Sequence, residues 1–277
     1  MTTLTVSRPR FSPWPLLRRG VTIAPWVVVG LAVVAAVAPG IFTDHDPIAA
    51  VGGAVSPPDS THWFGTDATG RDVFSRVVYG ASHSLRAALI AVGAGMVVGS
   101  LLGLIAGAFG GLVDTLIMRA VDVLLAIPSL LLALSIIIIL GFGTTQAAIA
   151  VGVTSIAAFA RVMRSQVLSV RGLDYVEAAY GSGASHGRVL ILHILPNAVT
   201  AVGALAALHL GTAILAISTL GFLGYGAPPP TPEWGLMIAE GRDYIATAWW
   251  LTTLPGAVVV LVVLCANRIS AQLGRNS

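Results

Sequence analysis

The chain has 277 residues, 56% hydrophobic and only 10% charged, with a net charge of +3 and a mean hydropathy of +0.89. Soluble domains carry roughly 25% charged residues, so the composition excludes an ordinary soluble protein and reads as a membrane protein. All 15 basic residues are arginine. Without lysine there is no phosphate-binding loop of the G-x-x-x-x-G-K-[ST] kind, so any ATP that powers this protein is hydrolysed elsewhere. No basic cluster interleaves with aromatic residues, which argues against a nucleic-acid partner. The one cysteine, Cys265, lies in an apolar run and reads as a small core residue.

Residues 1–22 form a basic tail with Arg8, Arg10, Arg18 and Arg19. The uncharged run at 23–42 is about long enough to cross a bilayer. It is too long for a typical signal-peptide core, and Pro39-Gly40 is a poor cleavage site. Arg18-Arg19 reads as its basic flank, not as a twin-arginine signal.

Residues 43–85 form a polar insertion. It carries Asp44, Asp46, Pro57-Pro58, His62-Trp63-Phe64-Gly65-Thr66-Asp67 and Gly70-Arg71-Asp72-Val73-Phe74-Ser75-Arg76. The four-residue spacing of Asp72 and Arg76 predicts an ion pair on one helix face. His62, Asp67 and Asp72 match no metal-ligand spacing, so no metal site is expected.

Five further spans are expected within a core of residues 86–270, at 87–109, 116–140, 144–160, 198–220 and 246–267. The first carries Gly93, Gly95, Gly99, Gly103 and Gly107. Small residues at intervals of four let helices approach closely in lipid. The second opens with Arg119 and Asp122, three apart, which predicts an ion pair near the interface; a bare charge at the bilayer centre costs about 3 kcal/mol. Pro128 predicts a kink in the same span. His209 sits mid-span, where a hydrogen bond to a neighbouring helix is the expected role. In the outer loop at 221–244 the prolines from Pro228 to Pro232 preclude helix. Trp234, Trp249 and Trp250 read as interfacial anchors. Residues 271–277 form a short tail.

Six spans put both termini on one side. With both inside, Arg8, Arg10, Arg18, Arg19, Arg119, Arg161, Arg164, Arg171, Arg188, Arg268 and Arg275 face the cytoplasm, against Arg71, Arg76, Arg86 and Arg242 outside. That asymmetry is the positive-inside pattern. It also makes the loop at 166–197 cytoplasmic.

This loop concentrates polar chemistry between two spans. Asp174 and Glu177 have the spacing of a capping box at a helix start. Ala178 and Ala179 leave a face of little bulk onto which another surface can close. Gly181 and Gly183 stop that helix. Ser185 caps a second one that runs through Arg188 to His193 and is closed by Pro196. A plain amphipathic connector on the membrane surface is the simplest alternative.

Glu177-Ala178-Ala179, three residues, Gly183, nine residues and then His193-Ile194-Leu195-Pro196 resemble the EAA loop of permease subunits from ABC importers. Asp122-Val123-Leu124-Leu125-Ala126-Ile127-Pro128 is similar to that family's third helix. The stretch from His62 to Arg76 and the Phe222-Leu223-Gly224-Tyr225-Gly226, Pro228 to Gly235 and Glu240-Gly241-Arg242 runs resemble its dipeptide, oligopeptide and nickel branch. The resemblance covers roughly residues 60–267. It departs at Ile217, where many relatives carry glutamate, and at Arg268-Ile269-Ser270-Ala271.

The resemblance implies an all-α membrane protein of six transmembrane helices with the type I ABC importer permease fold. It implies a subunit of an ATP-driven importer of small peptides, working by alternating access in the bacterial cytoplasmic (inner) membrane among lipid. No cofactor is implied in this chain; ATP and Mg belong to two partner ATPase subunits. A second homologous permease and an extracytoplasmic substrate-binding protein complete the set. The implied ATPase-docking residues are Asp174, Tyr175, Glu177, Ala178, Ala179, Gly183, Ala184, Ser185 and Pro196. Pro128 and His209 are the candidates for the substrate pathway. A permease for nickel or another small solute is the nearest alternative. An ion-coupled secondary transporter would rely on Asp122 and His209 alone. An intramembrane enzyme finds no H-E-x-x-H motif, and Gly181-Ser182-Gly183 and Ser185-His186 lie in the loop.

Overall fold

The computed structural model describes residues 15–273. Residues 1–14 and 274–277, with Arg8, Arg10 and Arg275, lie outside the described residues. Among those described, the chain is helical, with two isolated β-bridges, Ala50 with Arg71 and Thr66 with Asp72.

α1 (Pro15–Val37) begins inside the stretch read as a tail. It ends five residues before the expected boundary at 42 because Ala38, preceding Pro39, leaves the helical region at φ −137° and ψ 66°. α2 (Val73–Phe109) is longer than the span expected at 87–109. Its 37 residues extend about 55 Å at 1.5 Å per residue. It starts where the Asp72 carboxylate accepts from the Ser75 N–H at 2.7 Å.

α3 (Gly111–Ala126) and α4 (Ser129–Leu140) meet at 96°. Pro128 breaks the expected span outright. The residue before a proline is pushed out of the helical region, and Ile127 is extended at φ −90° and ψ 129°. α5 (Thr144–Arg171) runs eleven residues past the expected end at 160. α6 (Asp174–Gly181) and α7 (His186–Val189) follow. A π-helical turn, Leu190–Ile194, leads into α8 (Leu195–Phe222). α9 (Trp234–Gly241) starts just after the prolines, and α10 (Trp250–Leu273) ends the described chain.

Four helical stretches are long and apolar enough to cross a bilayer: Val73–Phe109, Thr144–Arg171, His186–Phe222 and Trp250–Gln272. The bent α3–α4 pair makes a fifth if it is one span. The apolar part of α1 that is described, Ile23–Val37, is shorter than a span, so the count among the described residues is four or five where six were expected.

The core is the contact of α2 with α5. A Cβ at Gly95 would fall 1.9 Å from Ser155 Oγ, one at Gly99 2.4 Å from the Ile156 carbonyl, and one at Gly103 2.2 Å from the Ala160 carbonyl. The stripe continues at Gly107, where a Cβ would meet Val167 at 2.7 Å. Here glycine is needed because the other helix's backbone occupies the space a side chain would take. Gly93 is off the stripe and faces open space.

The segment at 223–249 folds back against the start of α2. Trp234 is 1% exposed and donates through its indole N–H to the Val77 carbonyl at 2.9 Å. It is a core residue, not the expected interfacial anchor. Trp250 is likewise buried, and only Trp249 of the pair is exposed. Ile217 is a buried apolar residue of α8.

The ion pairs differ from those expected. Asp122 pairs with Arg161 of α5 at 2.7 Å instead of Arg119. Asp72 meets His62 at 3.0 Å, while Arg76 reaches Glu240 at 3.0 Å. A side chain that caps its own helix points back over the N-terminus, away from the residue four positions on.

Candidate functional site

The loop after α5 is tied down by arginines. Arg164 clamps Asp114 of α3, with Nη2 to Oδ2 at 2.6 Å. Arg171 donates to the Gly107 and Ala108 carbonyls at 2.9 and 3.0 Å, satisfying the last turn of α2. These contacts fix where α6 begins.

α6 has two faces. Val176 is fully buried and joins the core that contains Val189, Ile194 and Ala198. Ala179 and Tyr180 are half-buried against the same cluster. Asp174, Glu177, Ala178 and Gly181 are exposed. Their offsets of three, four and seven residues place them on one side of the helix.

Leu173, not Asp174, occupies the cap position, and no side chain caps the helix. Asp174 and Glu177 stand in its first turn, where their charge still complements the helix dipole. At the other end the chain forms a Schellman motif. The Ala184 N–H donates to the Ala179 carbonyl at 3.2 Å and the Gly183 N–H to the Tyr180 carbonyl at 2.9 Å. Gly183 takes φ +84°, the left-handed conformation this motif requires.

Ser185 does precede α7, but its hydroxyl makes no cap bond. Pro196 does not close the second helix. The Leu195 N–H bonds to the Leu190 carbonyl, five residues back, and this wide π turn accommodates the proline at the start of α8. Tyr175, from α6, accepts from Asn197 Nδ2 at 3.1 Å, and Asn197 also donates to the His193 carbonyl at 2.7 Å. These bonds join α6 to the base of α8. Sequence reasoning missed Asn197 and Val176; the apolar Val176 inside a polar helix was the available signal.

A second feature lies between the long helices. A cavity of about 320 Å³ is lined by residues of α2, α5 and α8, including Thr154, Ser155, His209 and Thr212. Ser129, next to Pro128, reaches the same cavity, which adjoins another of about 250 Å³ sharing Ser129, Thr154 and Thr212. His209 lies against Phe159 of α5 with ring centroids 5.0 Å apart and the planes tilted by 42°, in place, among the described residues, of the expected hydrogen bond to a neighbouring helix. Thr154, Ser155 and Thr212 donate to carbonyls of their own helices at 2.7 to 3.0 Å. The Thr154 and Thr212 oxygens are thus left as acceptors in the cavity lining, while Ser155 Oγ packs against Gly95, and among the described residues no acidic or arginine side chain lines it.

At the start of α2, residues of the 43–72 segment converge. Asp67 accepts from the N–H groups of Thr69 and Arg71 at 2.8 and 3.0 Å and pairs with Arg71 Nε at 2.6 Å. Burial raises the Asp67 carboxyl, and these donors outweigh it, leaving the carboxyl below its ordinary value. Asp67 thus stands apart from His62 and Asp72, which come together with His45.

Long apolar helices packed through glycines, a cavity walled by hydroxyls and a two-faced surface helix define a membrane transport subunit. Residues 99–276 match the family described as the binding-protein-dependent transport system inner membrane component, more than half the chain. The protein belongs to that family and is a permease subunit of an ABC importer, a multi-pass membrane protein. It is 45% identical over 216 residues to the dipeptide transport system permease protein DppC of Alkalihalophilus pseudofirmus, covering 78% of this chain and 71% of that one. It is 39% identical over 255 residues to the probable D,D-dipeptide transport system permease protein DdpC of Escherichia coli, covering 92% and 86%. It is 41% identical to the glutathione transport system permease protein GsiD of Pectobacterium atrosepticum over 78% and 72% of the two chains. Among solved structures, the MetNI methionine ABC transporter shares the fold with a TM-score of 0.56 and 20% identity, over 72% of this chain and 96% of that one. An amino acid ABC transporter with histidines does so at 0.58 and 15%, over 74% and 95%.

Proposed function

We propose that this chain forms half of the pathway of an importer of small peptides, and that α6 is the helix through which a separate ATPase drives it. The observation that carries the reading is the division of α6 into a face packed on the core, with Val176 buried and Tyr180 half-buried, and an exposed face at Asp174, Glu177, Ala178 and Gly181. A helix built this way is rigid with respect to its own bundle and free to seat in a partner.

Gly183, Ser185 and Pro196 complete the docking region, and Tyr175, Ala179 and Ala184 hold α6 against the bundle. ATP favours the closed ATPase pair, and that bias moves α6 as a rigid body. The Tyr175–Asn197–His193 bonds pass the movement to α8, which lines the cavity. A second, similar permease closes the open side of that cavity. Two ATPase subunits carry ATP and Mg, so this chain needs no cofactor and performs no hydrolysis. A substrate-binding protein delivers cargo at the opposite end, near 43–72. The acceptor oxygens of Thr154 and Thr212 suit peptide N–H groups, and the relatives named for dipeptides and glutathione support this cargo. Arg161, Arg164, Arg171 and Arg188 around α6 support a cytoplasmic position for it, with both termini inside.

The test is a cross-link. Cysteine at Ala178 and, as a control at the other end, at Ala68 is introduced in a Cys265→Ser background, and membranes of the assembled transporter are treated with a thiol-to-amine cross-linker. An ATPase adduct from position 178 alone is expected. No adduct at 178 in a transporter that imports dipeptide would overturn the assignment of α6.

A further inference from the structure

We propose that His45, His62 and Asp72 form a divalent-metal site that fastens the segment after α1 to the head of α2. The donor atoms of these three residues lie within 4.8 Å of one another. His62 Nδ1 and Asp72 Oδ1 are 3.0 Å apart, with the side chains 12% and 2% exposed. Tetrahedral Zn²⁺ binds nitrogen and oxygen ligands at roughly 2.0–2.1 Å, which sets neighbouring ligand atoms about 3.4 Å apart. The His62–Asp72 edge, at 3.0 Å, needs to open by only about 0.4 Å to reach that size. His45, the half-buried member, supplies the third donor within 4.8 Å of the other two.

The surroundings hold the ligands in place. Asp72 Oδ2 accepts from the Ser75 N–H and hydroxyl, both at 2.7 Å, so Oδ1 is the oxygen left for His62 and a metal. The Ser75 hydroxyl is hydrogen-bonded to Thr43 Oγ1 at 2.6 Å, and Thr43 Oγ1 accepts from the His45 N–H at 3.2 Å. The chain of bonds thus runs from the Asp72 carboxylate to the backbone of His45, holding the segment that carries His45 beside the head of α2. His62 turns Nδ1 toward Asp72 and Nε2 toward Gly52, so Nδ1 is the nitrogen presented to the site. Asp44, His45 and Asp72 border an open cavity of about 290 Å³, which supplies an entry path and room for a water ligand.

Two imidazoles and one carboxylate select a borderline ion, Zn²⁺ above all, over Mg²⁺ or Ca²⁺, which prefer oxygen ligands. The site joins residues 27 positions apart in sequence and lies at the opposite end of α2 from Gly107 and Ala108, far from α6. It is a structural clamp, separate from cargo.

The experiment uses the assembled transporter, purified in detergent, stripped with chelator and titrated with Co²⁺ and then Zn²⁺. One saturable Co²⁺ site per copy of this chain is expected, with visible d–d bands that Zn²⁺ bleaches. His45→Ala leaves the Asp72 cap and the His62–Asp72 bond intact, so membrane abundance should stay normal while Co²⁺ affinity falls at least about tenfold. Zn²⁺ should also raise the unfolding temperature of the wild type and not of His45→Ala. Absence of a saturable site in the wild type, or equal affinity in His45→Ala, would overturn the proposal.

Discussion

Arg76 Nη2 donates to Glu240 Oε2 at 3.0 Å across 164 residues of sequence. Arg76 is 1% exposed and also faces Asp67 at 3.6 Å and the Pro230 carbonyl at 3.3 Å. This one guanidinium holds α2, the 43–72 segment and the α9 hairpin together. Removing one partner of a buried pair strands the other. Arg76→Met is expected to cost about 3 kcal/mol, the low end for buried pairs because Glu240 is 30% exposed. The double variant with Glu240→Gln should cost less than the sum of the two singles. A double-mutant cycle on unfolding temperature and membrane abundance checks this; strict additivity would contradict a direct coupling.

The glycine stripe makes a sharper contrast. Gly103→Leu drives a side chain into the Ala160 carbonyl, while Gly93→Ala enters open space. Overpacking costs typically 1–3 kcal/mol when neighbours can give, and a backbone carbonyl cannot. Gly103→Leu should abolish accumulation in the membrane, and Gly93→Ala should leave it unchanged. Equal abundance of both would refute the α2–α5 contact.

That stripe was readable because a four-residue repeat of glycine reports its own helical face. The loop was readable for a similar reason: Gly183 stands at the one position where a helix end needs a positive φ. Partners across the bundle were not. Asp122 had Arg119 three residues away, and only the crossing of α3 with α5 brings Arg161 nearer. Trp234 looked like an anchor because an outer loop with prolines suggests the interface, whereas the hairpin turns inward onto Val77. Pro196 carries a general rule against helix interiors, and a π turn five residues long evades it. The meeting of His45 with His62 depends on how the 43–72 segment folds back, which no local spacing encodes.

Glu233 gives a pH dependence. It is 1% exposed, and burial pushes its carboxyl up, opposed by the N–H groups of Gly235 and Leu236 and the Ser84 hydroxyl. A folded-state value above the ordinary 4.5 means that its contribution to stability is complete below that value and is lost as pH rises through the raised one. Asp67 has the opposite sign, and its contribution is lost only as pH falls below its ordinary 3.8. Above about pH 5 Asp67 no longer changes, and the titration of His83 is common to wild type and a Glu233 variant, so their difference reports Glu233. Glu233→Gln, which does not ionise, should flatten the decline, so that wild type loses unfolding temperature relative to the variant as pH rises. A constant difference across that range would show that burial does not govern this carboxylate.

Orientation is checked by labelling. Ser60 and Ser185 are both exposed, at opposite ends of the bundle. Single cysteines there, without Cys265, are treated with an impermeant thiol reagent in intact cells. Labelling at 60 and protection at 185 is the expected result, and the reverse would invert the arginine-based topology.

The last prediction concerns Gly183. A Cβ there would meet nothing within 4 Å, so a substitution costs only what the backbone charges for φ +84°. For an ordinary residue that is about 1–2 kcal/mol, and asparagine tolerates the conformation better. The cost falls on the Schellman motif that ends α6, not on the apolar stretches that insert. Gly183→Val should therefore reach normal membrane abundance yet lose retention of the ATPase subunit and uptake, while Gly183→Asn keeps much of both. Glu177→Arg places a positive charge against the positive end of α6 and should be worse than Glu177→Ala. Abundance, co-purification of the ATPase and uptake are measured together on each variant. If Gly183→Val and Glu177→Arg both hold the ATPase and transport as wild type does, the loop is a surface connector and α6 does not couple.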